Sequence, residues 1–237
     1  MKEPHKIEAA VFDLDGTLLD SSRIWDDLGE RFLRSQGVTP EPQLSALLGM
    51  MSFDEGCSYI CEQYPIRHTA GQVRAALFDI LSDFYRSECR LKPGALRLLT
   101  EMRECGIPAA TATAGDKTLA AAALERLGIA DFFCGMVTCR ECGGKDKPQI
   151  FLTAAALTET TPQRTIVFED SLMAVRTAKA AGFLTAAVED ISEPQQLVLK
   201  RTADLWRSSP EGYLGLFRGQ LREPSASDRI SPSSSPV

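Results

Sequence analysis

Short apolar segments alternate with longer segments of helical periodicity over most of the chain. Residues 7–12, Ile-Glu-Ala-Ala-Val-Phe, are largely apolar and end at Asp-x-Asp-Gly, which predicts a buried strand. Further short apolar runs predict strands at residues 107–113, 136–138, 165–168 and 185–188. Helices are predicted between them over residues 95–105 and 117–127, from Pro148 to Leu157, and up to Ala181. A glycine, which is typical of a helix end, follows three of these helices, at Gly106, Gly128 and Gly182.

Strands that alternate with helices of about ten or more residues are typical of parallel strands joined by right-handed crossovers. The predicted fold class is therefore α/β, with a Rossmann-like parallel sheet as its core. Residues 20–91 interrupt the alternation, because their apolar residues recur at helical spacing and no convincing strand is present. We interpret this block as an inserted helical domain.

The predicted organisation has three parts. Residues 1–19 and 92–206 form the discontinuous core, and residues 20–91 form the helical domain. Residues 207–237 are predicted to be a disordered tail, since residues 224–237 are mostly Ser and Pro with almost no apolar side chains.

Composition narrows the classes of protein to consider. The 237 residues are 44% apolar and 24% charged, which is sufficient for a packed core. A formal net charge of -6 argues against a nucleic-acid partner. No apolar stretch approaches the length of about 18 residues that a membrane helix needs. Residues 1–8 lack the apolar run of a secretory signal, so we expect a cytoplasmic protein with no membrane partner.

The seven cysteines favour free thiols, because an odd count without a secretory signal indicates a reducing compartment. Cys139 and Cys142 form one Cys-x-x-Cys pair. A zinc or redox site would need a second such pair or a nearby histidine, and the only histidines are His5 and His68. The sequence leaves the role of the pair open.

Polar residues stand where the predicted strands end. The carboxyl ends of parallel strands share one edge of a sheet, so these residues should converge in one crevice despite their separation in sequence. Two carboxylates close together repel unless a cation lies between them, and all-oxygen ligands suit Mg²⁺. The candidate residues are Asp13 and Asp15, Thr113, Lys145, and Glu169 with Asp170.

The string Asp-Leu-Asp-Gly-Thr-Leu at residues 13–18 carries the strongest signal. An Asp-Gly pair alone is usually an ordinary turn. Four fixed positions directly after an apolar strand arise by chance only once in ~10⁵ windows at average residue usage. Gly16 allows the backbone to turn sharply after the second carboxylate.

This string resembles the first motif of the haloacid dehalogenase (HAD) superfamily. The rest of that family's pattern follows in order, with a Thr at a strand end, a Lys before a helix start and an acidic pair at a later strand end. The resemblance covers roughly residues 7–205. The nearest group is the beta-phosphoglucomutase-like phosphatases, which have a small helical cap domain. The resemblance implies that Asp13 is the nucleophile and Asp15 the general acid and base.

The resemblance also implies two sets of ligands. The phosphate-binding set is Thr113, Ala114, Lys145 and the backbone at Gly16. The metal-binding set is Asp13, the backbone carbonyl of Asp15, Asp170 and, directly or through water, Glu169.

Some positions have competitors or depart from the family pattern. Thr111 competes with Thr113, although it lies within the predicted strand. Lys147 competes with Lys145, and the Pro and Ile-Phe that follow at residues 148, 150 and 151 favour Lys145. Three positions depart from the family pattern: Ala114 stands where a small polar residue is usual, Asp146 where a Pro is usual and Gln149 where an Asp is usual. The first change removes one hydrogen-bond donor. The other two change the stiffness of the loop and the capping of the helix.

The expected activity is Mg²⁺-dependent hydrolysis of a small phosphate monoester, a sugar phosphate or similar compound, through an aspartyl-phosphate. The expected partner is that small molecule, bound by a monomer whose cap domain closes over the site. The physiological substrate stays open.

Two alternatives stay open beside the phosphatase. One is a sugar-phosphate mutase of the beta-phosphoglucomutase type, which typically has an Arg in the cap loop, where Leu48-Gly49-Met50-Met51-Ser52 has none. The other is a catalytically silent binding protein on the same fold, against which the intact set of Asp13, Asp15, Lys145 and Asp170 argues.

Overall fold

The computed structural model describes residues 7–48, 50–51 and 53–218. Gly49 and Ser52 lie outside the described residues; both belong to the segment 48–52, whose lack of an Arg argues against a mutase. Residues 219–237 of the predicted tail also lie outside the described residues. Contacts divide the chain into two compact units, each described by itself below. The first comprises Met1–Leu18, Lys92–Ala114 and Asp131–Val237, and the second comprises Leu19–Leu91 and Gly115–Ala130. Residues 115–130 thus group with the helical insert, whereas the predicted boundaries place them in the core.

The described residues form eight strands and ten α-helices. The strands are β1 (Ala9–Phe12), β2 (Leu19–Asp20), β3 (Arg90–Leu91), β4 (Ala109–Thr113), β5 (Met136–Thr138), β6 (Thr165–Glu169), β7 (Leu184–Val188) and β8 (Leu205–Arg207). The helices are α1 (Ser22–Ser35), α2 (Leu44–Leu48), α3 (Phe53–Gln63), α4 (Ala70–Asp83), α5 (Ala95–Glu104), α6 (Lys117–Arg126), α7 (Cys139–Cys142), α8 (Gln149–Leu157), α9 (Leu172–Ala180) and α10 (Gln196–Thr202).

Six strands of the first unit form one parallel sheet in the order β5-β4-β1-β6-β7-β8. β1 is central, and its last residue, Phe12, is paired with Thr111 of β4 and Phe168 of β6. The five predicted strands of the core correspond to β1, β4, β5, β6 and β7. The predicted α/β class with a Rossmann-like parallel sheet is confirmed.

Small apolar residues dominate the sheet and let helices pack closely against it. Five alanines of β1 and β4 are completely buried, at positions 9, 10, 109, 110 and 112. One face of the sheet packs against Ile150 and Phe151 of α8. Side chains alternate between faces along a strand, so Phe12 and Phe168 point the other way. Their rings stack with centroids 4.4 Å apart and an interplanar angle of 6°, which fixes β1 against β6 just before both strands end.

Residues 207–218 are folded, so the predicted disordered tail begins too early. β8 adds a sixth strand to the sheet, and Pro210–Tyr213 forms a 3₁₀ turn after it. Tyr213 is buried, packs edge-on against Phe168 with centroids 5.2 Å apart, and donates its hydroxyl hydrogen to the Ala187 carbonyl oxygen. These contacts join residues far apart in sequence and leave no periodic pattern in so short a segment, which is why the sequence did not predict them.

The second unit is built mainly from helices. α1 buries Ile24, Leu28, Phe32 and Leu33, the positions whose spacing predicted a helix. α4 begins with a capping box, in which the Thr69 hydroxyl accepts from the Gln72 backbone N–H and the Gln72 side chain accepts from the Thr69 backbone N–H.

The prediction that residues 20–91 contain no strand is wrong at both ends of the segment. β2 and β3 form an antiparallel pair in which Leu19 is opposite Leu91 and Asp20 opposite Arg90. Strands of two residues are too short to show an alternating pattern.

Among the helices that the structure describes, none is both long and apolar enough to span a membrane.

Replacing Tyr213 by Phe tests the folded state of residues 207–218. The variant keeps the ring against Phe168 but removes the hydroxyl donor to Ala187, so we expect the free energy of unfolding to fall by about 1–2 kcal/mol. Tyr213→Ala also removes the ring and should cost about 3–5 kcal/mol. Denaturant unfolding measures both changes, and equal stability of the two variants and the parent would contradict the packing described here.

Candidate active site

The carboxyl edge of the sheet gathers three predicted acidic residues. Asp13 follows β1 directly, and its backbone N–H donates to the Phe168 carbonyl oxygen at 3.0 Å, which extends the pairing of β1 with β6 by one step. Glu169 is the last residue of β6, and Asp170 follows it. All three side chains are buried. The adjacency of two parallel strands therefore brings together carboxylates that are far apart in sequence.

Lys145 reaches this cluster from the loop between α7 and α8. Its ammonium donates to Asp13 Oδ1 and, at 2.5 Å, to Glu169 Oε1. Its side chain is 8% exposed, whereas Lys147, the competing lysine, is exposed at the surface. The structure therefore brings Lys145, and not Lys147, to the carboxylates.

The two candidate threonines occupy different places on β4. Thr113 is the last residue of the strand and is completely buried. Thr111 lies within the strand, opposite Phe12, and its buried hydroxyl has no hydrogen-bond partner in the described structure. Ala114 follows the strand and is exposed. The strand end is thus the position of Thr113, as the spacing predicted, while its role stays a prediction.

Gly16 lies directly against the carboxylate of Asp170. Its φ of +85° is in the left-handed region, and a Cβ atom there would lie 2.3 Å from Asp170 Oδ2. The Thr17 hydroxyl lies 3.4 Å from the other carboxylate oxygen of Asp170. Asp15, at the start of this turn, is half-buried. A glycine is therefore required for the turn and the buried carboxylate to coexist.

Asp13, Glu169 and Asp170 fit the requirements of a divalent cation site. Each offers a ligand oxygen, and these oxygens lie within 4.8 Å of one another. Carboxylate oxygens suit Mg²⁺ better than a softer metal. Lys145 offsets only one of the three charges if all the groups are ionised, so the cluster retains an excess of negative charge.

Burial and that excess of negative charge together shift the pKa values of the clustered groups. Burial raises the pKa of the Glu169 carboxyl to about 7, with Lys145 opposing the rise and Asp13 adding to it. Burial and the neighbouring carboxylates of Asp13 and Glu169 raise the pKa of Asp170 well above its ordinary value. Burial alone would lower the pKa of Lys145, but the two carboxylates it contacts outweigh that effect and raise it, so the ammonium stays charged. The crevice favours either protons or an added cation.

A second buried ion pair near these residues was missed by the sequence reasoning. Lys92 Nζ lies 2.6 Å from Asp190 Oδ2, and the Ser192 hydroxyl donates to Asp190 Oδ1 at 2.8 Å. Asp190 stands two residues after the end of β7. The rule that polar residues at strand ends converge would have pointed to Asp190, had it been applied to the strand predicted at residues 185–188.

We expect Mg²⁺ to bind more tightly as the pH rises from about 6 to 8, because the ion competes with protons for these carboxylates. Each proton released should tighten the dissociation constant by up to about tenfold per pH unit below the pKa of its group. Calorimetric titration in buffers of different ionisation enthalpy measures the affinity and the protons released. A pH-independent dissociation constant would contradict the raised pKa values.

The metal-free protein should show the opposite trend in stability. The folded state retains a proton on Glu169 that the unfolded chain loses above its ordinary pKa of 4.5, so the free energy of unfolding should fall as the pH rises from 4.5 to about 7. Urea unfolding in the presence of a chelator is the corresponding measurement.

Comparison with known proteins places the chain in a family. Residues 7–182 match the haloacid dehalogenase-like hydrolases. The chain is 29% identical over 197 residues to hexitol phosphatase A of Escherichia coli (strain K12), covering 79% of this chain and 85% of that protein. It is 27% identical over 216 residues to the beta-phosphoglucomutase of Bacillus subtilis (strain 168), covering 84% of this chain and 92% of that protein.

A solved structure agrees with the fold. A Thermotoga maritima protein assigned as a beta-phosphoglucomutase superposes with a TM-score of 0.81 at 24% identity, covering 91% of this chain and 100% of that one. The family match includes Asp13, Lys145, Glu169 and Asp170, which the structure brings together at one edge of the sheet. The prediction of a HAD-like phosphohydrolase is confirmed, and the chain belongs to the haloacid dehalogenase-like hydrolase family.

Proposed function

We propose that this protein is a Mg²⁺-dependent phosphatase that hydrolyses a small phosphate monoester through an aspartyl-phosphate on Asp13. The observation that carries the proposal is the buried Asp13 carboxylate, held by Lys145 and clustered with Glu169 and Asp170. The name of the hexitol phosphatase relative supports a sugar phosphate or similar polyol phosphate as the substrate class.

The residues present fit the metal that the family uses. The carboxylates of Asp13 and Asp170 and the backbone carbonyl of Asp15 would hold Mg²⁺, with Glu169 binding it directly or through its water shell. The bound ion would supply positive charge that draws the phosphate into a negative crevice and offsets charge during phosphoryl transfer.

Asp13 acts as the nucleophile in the first half of the reaction. One of its carboxylate oxygens attacks phosphorus, and the bond between phosphorus and the leaving alcohol oxygen breaks. Asp15 gives its proton to that oxygen, so the alcohol leaves neutral and Asp15 becomes a carboxylate. Thr113, Lys145 and the backbone at Gly16 and Ala114 bind the phosphoryl oxygens.

Water completes the reaction in the second half. Asp15, now ionised, takes a proton from a water molecule as its oxygen attacks the phosphorus of the aspartyl-phosphate. The bond between phosphorus and the Asp13 oxygen breaks, which releases inorganic phosphate and restores both carboxyl groups to their starting states.

Lys145 prepares the nucleophile. Its ammonium contacts Asp13 and Glu169 together, and burial leaves no bulk water to replace these contacts. A fixed positive charge there holds the Asp13 carboxylate in one orientation and opposes the negative charge of the incoming phosphate. This double role explains why a lysine is buried at a cost in desolvation.

A sugar-phosphate mutase is the second candidate, and the beta-phosphoglucomutase relative favours it. A mutase would use the same residues but return the phosphoryl group to a sugar hydroxyl. The absence of an Arg from residues 48–52 argues for hydrolysis. The silent binding protein is disfavoured, because the complete set of Asp13, Asp15, Lys145 and Asp170 is kept.

Asp13→Asn should lower the rate of p-nitrophenyl phosphate hydrolysis by at least about 10³-fold, because an amide cannot accept the phosphoryl group. Asp131→Asn, an exposed carboxylate in the same unit, is the matched control and should keep the parent rate. Persistence of Mg²⁺-dependent hydrolysis in Asp13→Asn would refute the assignment of Asp13 as the nucleophile.

The parent protein should convert glucose 1-phosphates to free phosphate, whereas accumulation of glucose 6-phosphate would identify a mutase.

Asp15→Asn should discriminate between substrates by their leaving groups. An alkyl alcohol needs a proton from Asp15 as it departs, whereas p-nitrophenolate leaves readily without one. We expect a loss of about 10²–10⁴-fold for an alkyl phosphate and a markedly smaller loss in the first step for p-nitrophenyl phosphate. Single-turnover kinetics isolate that step, and equal losses for both substrates would assign the acid role elsewhere.

A further inference from the structure

A buried ion pair stands beside the carboxylate cluster without being part of it. Lys92 and Asp190 are paired at 2.6 Å with side-chain exposures of only 9% and 5%. Lys92 also donates to the carbonyl oxygen of Glu189 at 2.8 Å. Lys92 follows the helical insert in the chain and Asp190 follows β7, so the pair joins two segments of the first unit that are far apart in sequence.

Asp190 reaches towards Asp170 through Ser192. The second oxygen of Asp190 accepts from the backbone N–H of Ser192 at 3.0 Å and from its hydroxyl at 2.8 Å. That same hydroxyl lies 3.5 Å from Asp170 Oδ2. A Cβ atom at Gly16 would lie 2.3 Å from Asp170 Oδ2 and 3.2 Å from Asp190 Cγ. The carboxyl groups of Asp170 and Asp190 therefore both lie close to the Cα atom of Gly16.

The loop that carries Asp190 is fixed at several further points. The Gln196 side chain donates to the Asp190 carbonyl oxygen. Glu193 accepts from the backbone N–H of Leu172, the first residue of α9, at 2.8 Å. Leu172 is only two residues after Asp170, so the loop holds the backbone on the helix side of the candidate metal ligand. Asp190 is thus presented to Asp170 on a rigid support.

Stability alone does not account for this arrangement. Removing two charges from water costs about as much as their attraction returns, so a buried ion pair contributes little net stability compared with apolar residues of similar size. Groups that contact the ligands of a metal ion orient those ligands and tune the affinity of the site. The position of Asp190 against Asp170 and Gly16 matches such a role.

We propose that Asp190 is a positioning residue of the metal site: held by Lys92 and Ser192, it fixes the Asp170 carboxylate and adds the negative field that favours a divalent cation. The inference rests on the proposed Mg²⁺ site. Lys92 holds Asp190 in place, since a carboxylate buried without a partner would be too costly.

Calorimetric titration of the substrate-free protein with MgCl₂ tests the inference. Asp190→Asn keeps the size of the side chain and an acceptor for Ser192 but removes the charge. We expect its Mg²⁺ dissociation constant to rise by about tenfold or more. Ser192→Ala removes only the hydroxyl and should give a smaller rise in the same direction.

A second lysine–carboxylate pair, at the opposite end of β7 from Asp190, provides a control variant. Asp204 pairs with Lys179 at 2.6 Å and accepts from the Thr185 backbone N–H at 2.9 Å, near the start of β7. Asp204→Asn therefore also breaks a lysine–carboxylate pair anchored to β7, but away from the carboxyl edge. Its Mg²⁺ affinity should equal that of the parent protein, whatever its melting temperature.

The outcomes separate the inference from the function on which it rests. A parent protein that binds no Mg²⁺ overturns the metal assignment and the inference together, before any variant is compared. A parent that binds Mg²⁺ and an Asp190→Asn variant that binds it equally well overturn only the inference, and leave the pair a structural anchor.

Loss of folding would not end the test. If unpaired Lys92 prevents Asp190→Asn from folding, the double variant Lys92→Met with Asp190→Asn removes both charges and restores a neutral interior. Weaker Mg²⁺ binding by the folded double variant supports the positioning role, and parent-like binding overturns it.

Discussion

Three carboxylates and one ammonium share a crevice from which water is largely excluded, and the rest of the site depends on how that charge is balanced. Lys145 contacts Asp13 and Glu169 at once, yet a single positive charge leaves an excess of negative charge with Asp170 included. Burial first, and the neighbouring carboxylates second, raise the pKa values of Glu169 and Asp170. A divalent cation would offset the excess of negative charge without protonation, and it would also reduce the repulsion of an anionic substrate.

The parallel sheet creates this constraint. Because β1 and β6 are adjacent and parallel, Phe12 and Phe168 pair and stack near the ends of the two strands. The residues that follow them, Asp13 and Glu169, therefore lie at the same edge of the sheet. Tyr213 packs against the same stack, so a segment distant in sequence stabilises the strand ends that carry the site. The apolar core and the polar crevice are therefore consecutive steps along the same strands.

The sequence was sufficient to predict what local patterns encode. Alternating apolar runs and amphipathic segments predicted the five strands from β1 to β7 that belong to the main sheet, and the strand-end rule predicted that Asp13, Glu169 and Asp170 converge. Features that depend on contacts between distant residues were missed. Tyr213 folds residues 207–218 through Phe168 and Ala187, and the burial of Lys92 depends on Asp190, nearly a hundred positions later.

A crystal structure of the protein with Mg²⁺ and a phosphate mimic tests the central claim most directly. We expect one octahedral ion with a carboxylate oxygen of Asp13 and one of Asp170 at about 2.0–2.1 Å, and the mimic in line with Asp13. An ion bound elsewhere, or a mimic that binds with residues 13 and 170 too far apart to share a cation, would contradict it.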